Sequence, residues 1–228
     1  MNADAAVLAN AIDQTLLKPT VGLAEAATWI ETNRDYGFAT LCVSPFLVPL
    51  AARLLVGTTT RVCSVAGFPL GYSLTLSKSV EARHLVELGC SEVDMVLNIA
   101  ALLEGEDALV RDDIAAVVET VADSSGGHGL VKVILETGYL DEKGIERGCL
   151  LSCEAGAAFV KTSTGFGPRG ASVRDVEVMR AVVGDAVRIK AAGGIRDLET
   201  ALALIDAGAD RIGTSAGDEI VASLAADR

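Results

Sequence analysis

Short apolar runs rich in β-branched residues alternate along the chain with longer stretches in which apolar residues recur every three or four positions. The short runs are typical of buried strands and the longer stretches of amphipathic helices. Eight strands are predicted, at Ile12–Leu17, Phe38–Val43, Val62–Ala66, Glu92–Leu97, Leu130–Glu136, Ala157–Lys161, Val187–Ala191 and Arg211–Gly213. Helical patterns lie between them, at Leu23–Asp35, Pro45–Val56, Leu74–Leu88, Val110–Ala122, Glu142–Ala155, Val173–Val183 and Leu198–Ala207.

This alternation predicts an α/β protein with a parallel sheet, because each crossover between parallel strands needs a connection long enough for a helix. Eight such units favour a sheet closed into a (β/α)8 barrel, the TIM barrel. An open, doubly wound sheet is the alternative, but it usually carries a glycine-rich turn after its first strand. This chain has Lys18, Pro19 and Thr20 there. No stretch resembles a linker, so we expect residues 1–228 to form a single domain.

Charge and hydropathy narrow the classes of function. The 228 residues include 19 Lys and Arg against 31 Asp and Glu, a net charge of −12 at pH 7. This excess argues against binding to nucleic acid or to an anionic membrane surface, whereas an anionic small molecule would need a locally positive site. The longest uncharged run, Tyr36 to Ala52, contains two prolines and is shorter than the roughly 20 apolar residues of a membrane span.

The cysteines and the N-terminal residues predict a cytoplasmic protein. The chain does not start with the basic segment and small-residue cleavage site of a secretory signal. Its five cysteines are scattered, which indicates free, buried thiols in a reducing compartment. Cys149 and Cys153 lie one helical turn apart, but the only histidines, His84 and His128, complete no zinc-binding pattern. No metal site is predicted.

Lysines at the carboxyl ends of two strands carry the candidate chemistry, because the active site of such a barrel lies at that end. Lys161 and Lys190 end the sixth and seventh strands, which are neighbours in the barrel. A single lysine there would usually extend its ammonium group to solvent. Two ammonium groups in one cleft disfavour each other's charge, and desolvation acts in the same direction. A lysine with a lowered pKa can attack a carbonyl carbon, so the pair indicates Schiff-base chemistry.

A carboxylate in the fourth strand could move the protons that this chemistry needs. Asp94 interrupts an otherwise apolar run. The alternative role is an internal salt bridge to Lys132 or to a neighbouring lysine, and the two roles are compatible. Along the fifth strand, the period of two predicts that Lys132 and Glu136 share one face.

Two glycine-containing loops predict a phosphate site. They are Gly193–Arg196, after the seventh strand, and Gly213–Gly217, after the eighth. Small residues let backbone N–H groups approach an anion, and the helix that follows points its positive end to the same place. Loops in these positions usually bind phosphate in such barrels, although glycines required only for tight turns are the alternative. We expect Gly165 to line the same cup, with Arg169 and Arg196 either near the phosphate or facing solvent.

Several of these segments together resemble deoxyribose-phosphate aldolase. The resemblance rests on Ile12–Pro19, Glu92–Val96, Val160–Gly167 and Lys190–Arg196, and it extends through Gly67–Gly71, Val131–Thr137 and Arg211–Gly217. It covers nearly the whole chain in the right order, and the segment KTSTG at 161–165 is highly specific. The resemblance implies a (β/α)8 class I aldolase without metal or cofactor. Such an enzyme reversibly cleaves 2-deoxy-D-ribose 5-phosphate to D-glyceraldehyde 3-phosphate and acetaldehyde.

The same resemblance assigns roles to individual residues. It implies that Lys161 forms the Schiff base, that Lys190 lowers the pKa of Lys161, and that Asp94 relays protons. The residues that match the family's substrate pocket and phosphate cup are Asp13, Thr15, Cys42, Lys132, Thr164, Gly165, Gly193, Gly194, Gly213 and Ser215. The chain departs from the family at Gln14, where many relatives have histidine, and at Arg169, where glycine is frequent.

Two other functions remain open at this stage. One is a different phosphosugar lyase or isomerase, which would need a general base but no covalent lysine. The other is a barrel that binds a phosphometabolite without catalysis. The sequence is compatible with a homodimer or a larger homo-oligomer and does not determine which. The family's role suggests a place in deoxyribonucleotide catabolism.

Overall fold

Eight parallel strands follow one another around a closed barrel in chain order. In the computed structural model, which describes residues 3–226, the strands are β1 (Ile12–Leu16), β2 (Thr40–Val43), β3 (Arg61–Ala66), β4 (Glu92–Val96), β5 (Leu130–Ile134), β6 (Phe159–Lys161), β7 (Arg188–Ala192) and β8 (Arg211–Thr214). Residues 1, 2, 227 and 228 of the predicted domain lie outside the described residues. Because β1 pairs with both β2 and β8, the sheet is closed. The predicted (β/α)8 barrel is confirmed, and the open sheet is excluded.

Helices fill the connections between the strands. They are α1 (Ala3–Asn10), α2 (Leu23–Asn33), α3 (Val48–Leu54), α4 (Thr75–Glu87), α5 (Ile99–Glu104), α6 (Asp107–Ser125), α7 (Glu142–Glu154), α8 (Val173–Val183), α9 (Leu198–Asp206) and α10 (Gly217–Ala226). Short 3-10 turns occupy Pro45–Leu47 and Thr137–Tyr139. The helix predicted over Pro45–Val56 is divided into the first of these turns and α3. Proline is tolerated in the first turn of an α-helix, and Pro49 occupies the first turn of α3.

Periodicity did not indicate α1 or α5. In α1, Leu8 is buried while Val7 is largely exposed, so apolar residues lie on both sides and the amphipathic pattern is lost. The six residues of α5 are fewer than two helical turns, which is too short for a period to be recognised.

The interior of the barrel differs from its outer layer. Aliphatic side chains such as Leu41, Val93, Val133 and Ile189 belong to the large apolar core. Charged side chains from the same strands are buried as well: Asp13, Glu92, Asp94, Lys132, Lys161, Lys190 and Arg211. Branched aliphatic residues usually fill the interior of these barrels, so this set of charged residues, here called the interior charge network, marks the region of interest.

The cysteines and the helices bear on two further expectations from the sequence. All five cysteines are free thiols, four of them buried and Cys153 partly buried, in agreement with the prediction. Between residues 3 and 226, no helix combines the length and the apolar character that a membrane crossing requires.

Candidate active site

The carboxylate of Asp94 accepts hydrogen bonds from three buried lysines that were considered from the sequence. Lys161 and Lys190 are paired residues of neighbouring strands, and both Nζ atoms donate hydrogen bonds to Oδ2 of Asp94, at 2.7 and 2.8 Å. The other oxygen, Oδ1, accepts a hydrogen bond of 2.7 Å from Nζ of Lys132. The structure therefore brings Lys161, Lys190 and Asp94 together. It also contains the salt bridge between Asp94 and Lys132 that was considered as the alternative role of Asp94.

Three further residues complete the interior charge network. Nζ of Lys190 lies 2.6 Å from Oδ2 of Asp13, whose other oxygen accepts a hydrogen bond from Arg211. Nζ of Lys132 lies 2.7 Å from Oε2 of Glu92. Glu92 and Arg211 were not predicted from the sequence as site residues. A signal for Glu92 was available, since it precedes Asp94 by two positions and strand alternation places both on one face.

The balance of charge explains the protonation of the network. Burial raises the pKa of Asp94, but attraction by Lys132, Lys161 and Lys190 outweighs it and holds the pKa well below its usual value. Burial lowers the pKa of Lys190, and attraction by Asp13 and Asp94 outweighs that effect, so the pKa lies above its usual value. The mutual weakening of charge expected for the lysine pair therefore does not occur at Lys190. The ion pairs with Asp13 and Asp94 favour the charged form of Lys190 beside Lys161.

The network contains one cation more than it has carboxylates. Its buried side chains, all within the described residues, are the carboxylates of Asp13, Glu92 and Asp94 and the basic groups of Lys132, Lys161, Lys190 and Arg211. The Lys161 side chain is 4% exposed, while the side chains of Lys132 and Lys190 are 0% and 1% exposed. Lys161 is therefore the lysine of the network that reaches the solvent-facing cleft.

A cleft of about 500 Å³ opens above Lys161. Predicted site residues that line it are Thr15, Lys161, Thr164, Gly165, Gly193, Gly194, Gly213 and Ser215. The remaining predicted residues, Asp13, Cys42, Lys132, Asp94 and Lys190, are fully or almost fully buried beneath it. Lys18, Glu25 and Arg196 bring charges to the cleft wall. Of these three, only Arg196 was considered from the sequence as a possible phosphate contact.

The glycines around the cleft serve different purposes. At Gly213, a Cβ atom would lie 2.9 Å from Cε of Lys190 and 2.9 Å from Cβ of Ala192. Glycine at this position therefore leaves room for the Lys190 side chain to reach Asp13 and Asp94. A Cβ atom on Gly170 would lie 2.0 Å from the carbonyl oxygen of Gly193, because the loops after β6 and β7 touch there. Gly194 faces open space, and its φ of +80° is the reason that position favours glycine.

Gln14 and Arg169, the two departures from the family pattern, both stabilise the scaffold. Gln14 lies in β1, and its side chain reaches the start of α10, where Oε1 accepts a hydrogen bond of 3.0 Å from the backbone N–H of Gly217. Its Nε2 donates to Oδ1 of Asn33 at 3.1 Å, which links β1 to α2 and α10. Arg169 is paired with Asp175 and donates a hydrogen bond of 3.0 Å to the carbonyl of Thr137. Its guanidinium thus links the loop between β6 and α8 to the connection between β5 and α7.

The fifth strand is shorter than predicted, and this changes the position of Glu136. β5 ends at Ile134, and Glu136 has a φ of +56°. Glu136 is therefore not part of the strand, and the prediction that it shares a strand face with Lys132 is wrong. Its carboxylate accepts hydrogen bonds from the backbone N–H of Thr164, at 3.2 Å, and from the Thr164 hydroxyl. Lys132 instead lies in the barrel interior, between Glu92 and Asp94.

Two thiols lie beside the network. Cys42 and Cys63 are paired residues of β2 and β3, and their Sγ atoms lie within 4.8 Å of each other and of a carboxylate oxygen of Asp94. A hydrogen bond with Cys63 lowers the pKa of Cys42. This spacing could hold a metal ion. However, both oxygens of Asp94 already accept hydrogen bonds from lysines, which an ion would have to displace.

Similarity to known proteins extends over nearly the whole chain. Residues 8–223 match the DeoC/LacD family aldolase domain. Deoxyribose-phosphate aldolase from Caldanaerobacter subterraneus subsp. tengcongensis is 51% identical over 214 residues, which cover 94% of this chain and 92% of the relative. Deoxyribose-phosphate aldolase from Bacillus subtilis strain 168 is 49% identical, with 94% of each chain covered. The solved structure of the tetrameric deoxyribose phosphate aldolase from Aeropyrum pernix is 30% identical, with a TM-score of 0.85 over the full length of both chains. The chain belongs to the DeoC/LacD family of aldolases.

Proposed function

We propose that the protein is a class I aldolase that reversibly cleaves 2-deoxy-D-ribose 5-phosphate to D-glyceraldehyde 3-phosphate and acetaldehyde. The proposal rests on Lys161, which reaches the floor of the cleft and shares one oxygen of Asp94 with Lys190. This arrangement supplies a candidate nucleophile, a carboxylate and a fixed cation at one point. The names of the relatives, which are about 50% identical, support the choice of substrate.

The first half of the reaction forms a covalent intermediate. The unprotonated Nζ of Lys161 attacks C1 of the open-chain aldehyde, and the resulting carbinolamine loses water to give an iminium ion. Asp94, held between Lys161 and Lys190, is positioned to accept the proton from the attacking amine and to return one to the departing hydroxyl group. Lys190 remains charged, because Asp13 and Asp94 stabilise it, and it stabilises negative charge that develops nearby.

The second half breaks the carbon–carbon bond. The C3 hydroxyl loses its proton to Asp94, directly or through water, and the electron pair of the C2–C3 bond moves to the iminium nitrogen. D-Glyceraldehyde 3-phosphate leaves, and the remaining enamine takes a proton at C2. Water then hydrolyses the iminium ion, which releases acetaldehyde and restores the amine of Lys161.

We further propose that the phosphate lies in the cup formed by Gly165, Gly193, Gly194, Gly213 and Ser215. Backbone N–H groups of tight loops and the nearby helix α10 favour an anion there. Arg196 and Lys18, at the wall of the same cleft, add positive charge to a chain whose net charge is −12. Thr15 and Thr164 also line the cleft, and their hydroxyl oxygens can accept hydrogen bonds from the sugar.

Borohydride trapping tests the covalent step. The protein is incubated with 2-deoxyribose 5-phosphate or acetaldehyde, reduced, and mapped by peptide mass spectrometry. We expect a reduced adduct on Lys161 and none in Lys161→Arg, which keeps the charge but forms no imine. An adduct on Lys190 would exchange the roles of the two lysines. A folded, active sample without any adduct would contradict the covalent mechanism.

A second variant, Lys161→Ala, separates the two other functions. A phosphosugar isomerase or a lyase that uses a general base would retain activity in Lys161→Ala. A non-catalytic barrel would be stabilised by 2-deoxyribose 5-phosphate in thermal unfolding but would release no acetaldehyde. An aldolase of the proposed kind loses acetaldehyde release in Lys161→Ala.

We also propose a cytoplasmic homo-oligomer without a nucleic-acid partner. The free thiols and the net charge of −12 support the compartment and the absence of nucleic acid, and the tetrameric relative from Aeropyrum pernix supports self-association. Analytical ultracentrifugation tests the last point, and a single species of about 23.5 kDa would contradict it.

A further inference from the structure

Glu136 combines two unfavourable features, a strained backbone conformation and a buried carboxylate. It is the one non-glycine residue with a positive φ, +56°, among the described residues, and such a conformation is strained. Its side chain is buried, and within the described residues no basic side chain forms an ion pair with it. A buried carboxylate without a direct ion pair is costly, and Arg169, whose charge does act on Glu136, is itself paired with Asp175. Backbone strain and a buried carboxylate without an ion pair, combined at one residue, indicate a functional role.

The contacts of Glu136 lead directly to the cleft. Its Oε2 accepts hydrogen bonds from the N–H and from the hydroxyl of Thr164. Thr164 follows Lys161 by three positions and lines the cleft. On the other side, Gly167 lies against the same carboxylate, since a Cβ atom there would be 2.8 Å from Oε1 of Glu136. Glu136 therefore lies beneath the first part of the loop that leaves β6.

These contacts determine how the Thr164 hydroxyl can interact. A hydroxyl group has one hydrogen to donate and two lone pairs to accept with. The hydrogen is donated to Glu136, and one lone pair accepts a hydrogen bond of 3.0 Å from the backbone N–H of Phe166. Only one lone pair remains for a ligand. Thr164 is thus prepared to accept a hydrogen bond from a hydroxyl group and has no hydrogen to offer a carbonyl or phosphate oxygen.

We propose that Glu136 is a positioning residue, which acts through Thr164 to make the cleft selective for a substrate that presents a hydroxyl group. The inference rests on the proposed aldolase function, because the sugar phosphate carries hydroxyl groups whereas the second product, acetaldehyde, carries none. Glu136 itself does not line the cleft that contains Lys161. Its effect on the reaction passes through the Thr164 side chain.

A double-mutant cycle tests this coupling. We expect Glu136→Ala and Thr164→Val each to lower kcat/KM for 2-deoxyribose 5-phosphate cleavage roughly tenfold, the size expected for one hydrogen bond. The double variant should lose no more than Thr164→Val alone. Glu136→Gln, which keeps an acceptor oxygen, should restore most of the activity. Losses that multiply to about a hundredfold in the double variant would overturn the proposal.

Acetaldehyde provides the internal control. Because it has no hydroxyl group, borohydride trapping of acetaldehyde on Lys161 should be unchanged in all four variants. Loss of this adduct in Glu136→Ala would assign Glu136 a role in holding Lys161 or the fold, which would contradict selectivity through Thr164. Failure of the wild-type protein to form the adduct would instead contradict the proposed function itself.

Two further variants separate positioning from general loop stability. Thr137→Val removes the hydrogen bond of 3.0 Å to Asp175 in the same loop pair, and we expect lower stability with unchanged kcat/KM. Gly167→Ala needs no unusual φ and places a methyl group against the Glu136 carboxylate, so it tests the contact even if Glu136→Ala does not fold. Its loss of kcat/KM should disappear in a Thr164→Val background, and a loss that persists there would overturn the proposal.

Discussion

Lys190 and Asp13 form a fully buried ion pair across β7 and β1, with 2.6 Å between Nζ and Oδ2. Asp13 also accepts a hydrogen bond from Arg211, and its Oδ2 lies 3.5 Å from Nζ of Lys132, so one carboxylate stabilises three buried cations. We expect Asp13→Asn to lower the free energy of unfolding by about 3–5 kcal/mol, because the variant leaves buried charge uncompensated. Urea denaturation measures the change. The matched control is Asp112→Asn, whose carboxylate pairs with Arg111 at the surface and should change stability by less than about 1 kcal/mol.

The carboxylates of the network predict how stability depends on acid. The pKa values of Asp13 and Asp94 lie below their usual value of 3.8 in the folded protein, so the folded state binds fewer protons than the unfolded state in this range. Their contribution is therefore complete above about pH 4 and is lost as the pH falls further. Unfolding free energies measured between pH 6 and 3 should show this decline, with a shallower slope in Asp13→Asn. Equal slopes in that variant and the wild type would contradict the assignment.

Gly213 is predicted to be essential for the position of Lys190. Because a Cβ atom would lie 2.9 Å from Cε of Lys190, Gly213→Ala should displace that side chain from Asp94. We expect a loss of about 1–3 kcal/mol in stability, as is usual for overpacking, together with a lower kcat. Gly22→Ala is the control, since nothing lies within 4 Å of its Cβ position. Unchanged kcat in Gly213→Ala would show that Lys190 tolerates the displacement.

Lys18 and Arg196 should contribute to phosphate binding and not to bond cleavage. Both line the cleft, and neither belongs to the interior charge network. We expect Lys18→Gln and Arg196→Gln each to raise KM for 2-deoxyribose 5-phosphate by roughly tenfold, in line with the loss of a charge-assisted hydrogen bond, while kcat changes little. With 2-deoxyribose, which has no phosphate, the variants and the wild type should behave alike. A similar defect on both substrates would argue against a phosphate contact.

The sequence was sufficient to predict those parts of the site that depend on strand order. Lys161 ends β6, as predicted, whereas Asp94 and Lys190 are the central residues of β4 and β7, and closure of the barrel brings the three side chains together in its interior. Glu92 and Arg211 were not predicted because each is the first residue of its strand. The active site was expected at the opposite, carboxyl ends of the strands. Their roles depend on side chains that cross the barrel interior from opposite strands.

Residues in the loops could not be placed from the sequence. Arg169 was expected either near a phosphate or in solvent, and it is instead paired with Asp175. That pairing depends on the path of the loop between β6 and α8. Glu136 was assigned to a strand that ends two residues earlier, at Ile134. Backbone conformation at such a strand end is determined by tertiary contacts, which a local period does not contain.

The carboxylates and the cations of the interior charge network come from different halves of the chain. The strands β1–β4 contribute its carboxylates, Asp13, Glu92 and Asp94, and the strands β5–β8 contribute its cations, Lys132, Lys161, Lys190 and Arg211. Separation of the two halves would leave Asp13 and Asp94 without the cations that pair with them, and those cations without their carboxylates, while Glu92 would keep Arg61 of β3. Loss of such partners is strongly unfavourable, so we expect neither half to fold stably on its own, whereas two separately produced halves should attract each other. The residues proposed for catalysis thus also make the folding of the two halves interdependent.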